Sequence, residues 1–152
     1  MHDSSFKLMQ KFRRYVPKGA TILDVGGADV NGTYKPIFAD CNYKTLDWEK
    51  ADYNVKGYNW NSIPKFDFII SGQMLEHDGY FWRTLENIKK ITRKGVIIIV
   101  PSKGHYHAHP IDCYRFMPDC DKIFAELLSM KLIERVYNDK EFWGDLGMVF
   151  IK

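Results

Sequence analysis

The sequence lacks the features of a disulfide-rich, secreted or membrane-spanning protein. It has three cysteines, Cys41, Cys113 and Cys120, and no close CxxC pair, so neither a disulfide scaffold nor a structural zinc module is expected. No apolar stretch approaches the roughly 18 residues of a membrane span, and the first residues lack the apolar run of a signal peptide. These absences lead us to expect a cytoplasmic protein with no membrane partner.

A large excess of charge of one sign is also absent. The 22 basic and 19 acidic residues give a net charge of +3, and the basic clusters at residues 11–14 and 89–94 are typical of solvated helix faces. Such a charge does not favour a nucleic acid as the partner. The sequence contains no repeat, low-complexity tract or linker, so its 152 residues predict a single domain over residues 1–152.

Strand-like and helix-like segments alternate along the chain, which predicts an α/β fold. Amphipathic spacing predicts four helices, at residues 3–15 (capped by Asp3 or Ser4), 33–39, 80–92 and 119–129. Apolar runs predict strands at residues 21–25, 43–48, 53–55, 66–70, 96–100, 132–137 and 147–151. We expect a Rossmann-like, mostly parallel sheet with an antiparallel closing strand pair formed by the last two strands. The chain between the second and fourth strands is too brief to favour a complete helical crossover there.

A glycine turn follows the first predicted strand. Gly26 and Gly27 come directly after the apolar run, where glycine allows a sharp turn and a close approach by a ligand. The acids Asp24 and Asp29 flank this turn. Their charge would repel a pyrophosphate but suits a ligand that carries a cationic amino group and a sulfonium. The GxGxxG fingerprint of dinucleotide-binding proteins is missing, which argues against a nicotinamide oxidoreductase.

Asp47 ends the next predicted strand, about 20 residues further on, where a carboxylate is expected to accept both ribose hydroxyls. With residues 24–27, Asp47 gives the sequence a resemblance to the class I S-adenosylmethionine-dependent methyltransferases. The resemblance implies a compact class I methyltransferase fold, S-adenosylmethionine as the cofactor, and a cofactor site that includes Trp48. The third close glycine of the family motif is absent, and Ala28 takes its place. The alternative is a tight strand-to-helix turn that binds no ligand.

Residues 58–64, with the sequence YNWNSIP, lie where related methyltransferases read the edge of the adenine. The resemblance implies that Asn59 or Asn61 bonds the adenine amine and that Trp60 covers the adenine face. The alternative for Trp60 is an aromatic residue of the core.

Residues 66–77, with the sequence FDFIISGQMLEH, resemble the fourth-strand motif of the methyltransferases grouped with ubiquinone-biosynthesis and cyclopropane-type enzymes. Together with residues 93–101, they extend the resemblance over roughly residues 20–137. The loop after this strand faces the transferable methyl group in that family. The cofactor residues implied here are Ser71, Gly72, Gln73 and Glu76.

Two histidines are predicted to be catalytic. Methyl transfer from a sulfonium is an in-line displacement that depends on proximity, and a hydroxyl acceptor also needs a base near its proton. His77 follows the fourth strand and has a suitable side chain. His109, in the loop after the fifth strand, is the second candidate. The alternative for the Glu76-His77 pair is a role in shaping the loop, with His77 bonded to the main chain.

The loop at residues 101–117 is long, polar and aromatic, which is typical of an active-site wall. Arg115 would bind an anionic acceptor, or it would pair with Asp112 and fix the loop. The alternating histidines of this loop, with Asp112 and Cys113, also suit a zinc, copper or nickel ion as an alternative. Their spacing matches no standard metal site, so no metal ligand is assigned. The predicted substrate-binding residues are His105, His107, Asp112, Tyr114 and Arg115.

These features predict S-adenosylmethionine-dependent methyl transfer to a small polar acceptor. A sugar or glycan hydroxyl follows from resemblance to a subgroup of small methyltransferase-domain proteins, some of them associated with glycan-modification genes. The alternative is a catalytically inactive, methyltransferase-like module that binds the cofactor or serves as a partner subunit. Because no cap domain is inserted, the acceptor site would be open or completed by another subunit, such as a second copy. Residues 71–74 do not match the (D/N/S)PP(Y/F/W) motif of DNA amino-methyltransferases.

Overall fold

Seven strands form one sheet in the computed structural model, which describes residues 2–30 and 32–152. The strands are β1 (Thr21–Val25), β2 (Asn42–Asp47), β3 (Tyr53–Asn54), β4 (Phe66–Gly72), β5 (Thr92–Pro101), β6 (Lys131–Tyr137) and β7 (Asp145–Ile151). Their order across the sheet is β3-β2-β1-β4-β5-β7-β6. The first five strands pair in parallel, and β7 runs antiparallel to both β5 and β6. The predicted mostly parallel sheet with an antiparallel closing pair is therefore confirmed.

The helices of the described residues cover both faces of the sheet. α1 (Asp3–Phe12) packs on β5 and β7, while α2 (Phe81–Ile91) and α3 (Cys120–Leu128) contact each other on the opposite face. Each helix presents an apolar side to the sheet, and Phe12 and Leu85 are fully buried. Burial of one such side chain contributes about 1.5–3 kcal/mol to folding. None of the helices in the described ranges is both long and apolar enough to cross a membrane.

Local departures from the predicted elements have physical causes. Neither predicted side-chain cap of α1 forms, because the helix begins one residue earlier, with His2 as its N-cap and Asp3 in its first turn. The helix predicted at residues 33–39 is a single 3-10 turn, Lys35–Phe38, with proline at its start. Proline is tolerated only in such a first turn. No helix occurs between β2 and β4 in the described chain, as the short connection predicts.

The strand order reverses direction between β1 and β4. β2 and β3 lie to one side of β1, whereas β4 and β5 lie to the other. In open α/β sheets, ligands bind outside the carboxyl ends of the strands at such a switch point. The residues that follow β1, β2, β4 and β5 therefore define the edge at which a functional site is expected.

Candidate functional site

The turn after β1 requires glycine at two consecutive positions. Gly26 has a φ of +81°, and a Cβ atom there would overlap the side chain of Met74. A Cβ atom on Gly27 would lie 2.8 Å from the main-chain oxygen of Asp24. The Gly26 N–H donates to the Leu46 carbonyl at 2.8 Å, which holds the turn against the end of β2. The main chain of the turn is thus fixed, and glycine is required at both positions because Met74 and Asp24 occupy the space that a side chain would need.

Asp47 places its carboxylate directly beside this turn. Its Oδ2 accepts from the Ala28 N–H at 3.1 Å, and its Oδ1 accepts from the Trp48 N–H at 2.7 Å. The side chain is only partly buried, so each oxygen keeps a lone pair for a further donor. Trp48 is 51% exposed next to it. The structure brings together Asp47 and the glycine turn as the sequence predicts.

The two acids that flank the turn occupy different environments. Asp24 is buried and accepts a hydrogen bond from the Tyr43 hydroxyl. Burial, opposed by the hydrogen bond from Tyr43 and aided by the charge of Asp47, raises the pKa of Asp24 to about 7. Asp29 is exposed, and its Oδ1 accepts from the Gly32 N–H at 3.0 Å. Asp24 lies beneath the turn, whereas Asp29 shapes the loop beyond it.

The segment predicted to read adenine divides into a buried and an exposed part. Trp60 is 6% exposed and packs in the core with Leu46 and Ile63, and its Nε1–H donates to the Gly57 carbonyl. This placement matches the core alternative for Trp60 rather than an adenine cover. Asn59 and Asn61 are exposed and remain accessible to a ligand.

The residues at the end of β4 are engaged within the fold. The buried Ser71 hydroxyl donates to the Val25 carbonyl at 3.0 Å and ties β4 to β1. Gly72 lies where a Cβ atom would overlap the ring of Tyr34. Gln73 donates through Nε2 to Asp145 Oδ1 at 2.8 Å. These contacts engage the Ser71 hydroxyl and the Gln73 amide nitrogen within the fold.

Glu76 is fully buried, and neither of its carboxylate oxygens has a hydrogen-bond partner within residues 2–30 and 32–152. Burial raises the pKa of Glu76 to about 8. Its main-chain oxygen, in contrast, accepts from the N–H groups of Cys113 and Tyr114, at 2.8 Å and 3.3 Å. The loop after β5 is thereby attached to the turn after β4.

His77 lies next to this carboxylate with one nitrogen free. Its Nδ1 is 2.6 Å from the Ile111 carbonyl oxygen, which can only accept, so Nδ1 carries the proton and Nε2 keeps a lone pair. Nε2 is 3.6 Å from Glu76 Oε1. Burial lowers the pKa of His77, which keeps the imidazole neutral at pH 7. The main-chain bond expected for a loop-shaping role is present, and it leaves Nε2 available for chemistry.

Arg115 and Asp112 form a bidentate pair that organises the loop after β5. Nη1 and Nη2 lie 2.7 Å and 2.9 Å from the two carboxylate oxygens, and Nη2 also donates to the His105 carbonyl at 2.7 Å. Asp112 accepts from the His107 N–H, and the guanidinium holds the pKa of Asp112 well below its usual range. Tyr114 donates its hydroxyl to the Gly79 carbonyl. This matches the loop-fixing alternative for Arg115 and Asp112.

The remaining loop histidines lie near aromatic residues that the sequence analysis missed. Trp143, between β6 and β7, has its ring centroid 4.6 Å from His107 and 5.2 Å from His105. It also stacks on His2 at 4.8 Å. His109 is exposed, with its ring 6.3 Å from that of His77. The one available signal for Trp143 was an adjacent Phe-Trp pair in a polar connection.

Comparison with solved structures identifies the fold. The magnesium protoporphyrin IX methyltransferase from Synechocystis PCC 6803, solved with bound SAM, aligns with a TM-score of 0.73 and 9% identity over 98% of this chain and 78% of that one. A SAM-dependent methyltransferase from Aquifex aeolicus aligns with a TM-score of 0.68 and 16% identity over 97% and 90%. The N-terminal domain of EvdMO1, solved in the presence of SAH and D-fucose, aligns with a TM-score of 0.63 and 12% identity over 99% and 82%.

These likenesses confirm the predicted fold, which is that of the class I S-adenosylmethionine-dependent methyltransferases. No protein-family model matches the sequence, and no curated protein matches it.

Proposed function

We propose that this chain is an S-adenosylmethionine-dependent methyltransferase that acts on a small polar acceptor, a sugar or glycan hydroxyl. The observation that carries the proposal is the Asp47 carboxylate, 3.1 Å from the Ala28 N–H in the glycine turn. This arrangement lies where the strand order reverses, the usual ligand position in such sheets. Solved proteins of the same fold were crystallised with SAM or SAH, which supports the choice of cofactor.

In this proposal the cofactor lies along the ends of β1 and β2. Asp47 accepts the ribose hydroxyls, with Trp48 beside it, and Asn59 bonds the adenine edge. The methionine part lies beside the main chain of the turn at Gly26 and Gly27. Asp24 lies beneath this turn, and the cationic groups of the methionine part would favour its ionised form by direct charge attraction.

The acceptor would lie between the glycine turn and the loop after β5. When bound, S-adenosylmethionine supplies an electrophilic methyl group on a positively charged sulfur. The chain then has to hold the acceptor hydroxyl in line with the carbon–sulfur bond and to accept the hydroxyl proton. The nitrogen that accepts this proton is His77 Nε2 or a ring nitrogen of His109. The pair formed by Asp112 and Arg115 fixes the loop that carries these contacts.

A polar hydroxyl acceptor suits this edge of the sheet. His105 and His109 are exposed on the loop and His107 is partly exposed, which provides polar groups without a closed apolar pocket. The presence of D-fucose with EvdMO1 supports a sugar as the acceptor for a chain of this fold. The alternative, a module that binds the cofactor without turnover, is separated from an enzyme by the following experiment.

Calorimetry with S-adenosylmethionine and S-adenosylhomocysteine tests the cofactor site. We expect Asp47→Ala to weaken binding about 100-fold, because two hydrogen bonds to a charged acceptor are each worth about 1.5 kcal/mol or more. The matched control is Glu49→Ala, since Glu49 is an exposed carboxylate two positions away, and this variant should bind like the wild type. Transfer of a labelled methyl group to a panel of free sugars then tests turnover. Binding without transfer to any acceptor would favour the inactive module, and absence of binding by the folded wild type would refute the proposal.

A further inference from the structure

Three metal-ligating side chains meet at the turn after β4. Glu76 and His77 come from this turn, and His107 comes from the loop after β5. One potential ligand atom from each lies within 4.8 Å of the other two, and His77 Nε2 is already 3.6 Å from Glu76 Oε1. One carboxylate and two imidazoles form a ligand set that divalent transition metals commonly bind.

Glu76 supplies an unexplained buried acceptor. Its side chain is 0% exposed, and both carboxylate oxygens lack a hydrogen-bond donor among the described residues. A buried carboxyl group without a partner costs several kcal/mol, so such groups in proteins are paired or coordinate metals. The oxygens are close to the Nε2 atom of His77, which has a lone pair rather than a proton to offer them.

The charges around Glu76 favour a cation. Asp145 is buried nearby, and one of its oxygens also lacks a partner in the described chain. The negative charge of Asp112 repels the Glu76 carboxylate, and the positive charge of Arg115 attracts it. The Arg115 guanidinium, however, is already committed to both oxygens of Asp112. Because Arg115 balances Asp112, Glu76 and Asp145 are the two groups whose ionised forms a divalent ion would stabilise.

Both imidazoles are held as metal-binding histidines usually are. His77 donates through Nδ1 to the Ile111 carbonyl. The Nδ1 atom of His107 lies 3.1 Å from the His105 carbonyl oxygen and 3.3 Å from Asp112 Oδ2, which both accept hydrogen bonds, and 3.3 Å from Arg115 Nη2, which donates. For His77 the outer contact fixes the tautomer and leaves Nε2 free for the metal, and a metal on Nε2 of His107 would select the tautomer that donates from Nδ1.

We propose that Glu76, His77 and His107 bind one divalent transition-metal ion of the zinc type. In a tetrahedral site with bonds of about 2.0–2.2 Å, two ligand atoms lie about 3.4 Å apart. The ligand atoms of the three residues lie within 4.8 Å of one another, so the ring of His107, which is 29% exposed, has to move towards the other two ligands by somewhat more than about 1 Å. Three protein ligands leave a fourth position for water or an acceptor oxygen, as in catalytic zinc sites.

The binding of the ion does not depend on methyl transfer, whereas its use for an acceptor oxygen rests on the proposed function. With the ion bound, His77 Nε2 is a ligand, so His109 remains as the histidine that can take the acceptor proton.

The alternating histidines of the loop define a competing arrangement, which the geometry does not favour. His105 is exposed and packs on Phe142 and Trp143, with its ring 6.2 Å from that of His107. His109 is exposed and has its ring 6.3 Å from that of His77. Neither His105 nor His109 belongs to the cluster formed by Glu76, His77 and His107.

The test is a titration of the metal-stripped full chain with Zn²⁺ by calorimetry, in the absence of S-adenosylmethionine. We expect one ion per chain, with an affinity that falls about 100-fold or more in Glu76→Gln and in His77→Gln. Glutamine preserves the shape of Glu76, and circular dichroism checks that each variant folds. If Glu76→Gln does not fold, His107→Gln decides the question, because this side chain is partly exposed on a loop. Titration with Co²⁺ gives a second readout, since ligation by three residues produces visible absorption bands.

The matched controls are His105→Gln and His109→Gln, which should bind Zn²⁺ like the wild type. The proposal is overturned if the folded wild type does not bind Zn²⁺. It is also overturned if Glu76→Gln binds normally, or if His105→Gln or His109→Gln abolishes binding, because the loop histidines would then form a surface site. Binding of S-adenosylmethionine is titrated separately, so a failure of the metal proposal is distinguishable from a failure of the proposed function.

Discussion

Above β1 and β2 the candidate site consists largely of main-chain groups, whereas above β4 and β5 it consists of side chains that hold one another. On the first side, two glycines form a tight main-chain turn, and Asp47 accepts from two main-chain N–H groups. On the second side, Arg115 pairs with Asp112, while Glu76 is buried without a partner in the described chain. The first side follows from the fold, and the second depends on the particular side chains of this chain.

This difference determines how each side should respond to substitution. The main-chain side depends on backbone conformation, so its stability should fall where a glycine of the turn is replaced. On the side-chain side, removal of one member of a buried ion pair should lower the free energy of unfolding, because the remaining charge is left uncompensated. Asp24 is an exception on the main-chain side, since it is a buried carboxyl group with a hydroxyl partner.

The largest expected change in the free energy of unfolding comes from the titration of Asp24. The groups that face it are Tyr43, Tyr34 and Asp47. Burial raises its pKa from 3.8 to about 7 in the folded chain, so between these pH values the folded state binds more protons than the unfolded state. Stability therefore falls as the pH rises through this window and is constant above it. At 1.36 kcal/mol per pKa unit, the loss is about 4 kcal/mol.

Urea denaturation of the wild type and of Asp24→Asn, from pH 4 to pH 8, measures this effect. The asparagine variant does not titrate at this position, so the stability of the wild type should fall relative to the variant across the window. A constant difference between the two proteins would show that Asp24 is ionised in the fold, and the two sides would then both carry buried charge.

The second largest expected change in stability concerns the hydrogen-bonded network of Asp112, Arg115 and His107 in the loop after β5. Asp112→Ala removes the carboxylate that holds Arg115 and accepts from the His107 N–H. The expected loss is about 3 kcal/mol in the free energy of unfolding, because the partly buried guanidinium loses its charged partner and keeps only main-chain acceptors. The double variant Asp112→Ala/Arg115→Met should recover part of this loss.

Chemical denaturation of the two single variants and the double variant gives the coupling energy between Asp112 and Arg115. Asp119→Ala is the control, since Asp119 pairs with Lys122 on the surface and should leave the midpoint nearly unchanged. Equal effects of Asp112→Ala and Asp119→Ala would mean that the loop is not held by this network.

The smallest expected change in stability comes from the contact between Gly26 and the side chain of Met74. Gly26→Ala meets both an unfavourable positive φ and the side chain of Met74. Gly57→Ala meets only a positive φ of +86°, with nothing within 4 Å of the added carbon. We expect losses of about 2 kcal/mol for Gly26→Ala and about 1 kcal/mol for Gly57→Ala.

The difference between these two variants measures the overlap at Gly26, and Met74→Ala in the Gly26→Ala background should remove it. Thermal denaturation of the four proteins is sufficient for this comparison. Identical losses at positions 26 and 57 would contradict a tight contact between the turn and Met74.

The sequence was most informative where a local pattern determines the structure. β1 coincides with the predicted run at residues 21–25, because a buried strand ends where glycine begins. The position of Asp47 beside the turn also followed, since parallel strands bring their carboxyl ends to one edge. β5 begins earlier than the predicted 96–100, because its first residues include the exposed Arg93 and Lys94 and lack a continuous apolar run.

The acceptor side could not be predicted to the same extent. Its geometry depends on contacts between Glu76 and the main chain of Cys113 and Tyr114, far along the sequence. No local periodicity encodes such a contact, so the meeting of His107 with Glu76 was missed. Trp60 was assigned to adenine although it completes the core, because an aromatic residue in a polar segment suits either place.

The position of residue 76 is fixed by hydrogen bonds to its main-chain oxygen, and these bonds do not depend on its side chain. Any amino acid at this position offers the same carbonyl to Cys113 and Tyr114, so the loop can remain attached while the chemistry beneath it changes. A substitution of Glu76 therefore tests the chemistry of its side chain while the two hydrogen bonds that attach the loop are retained.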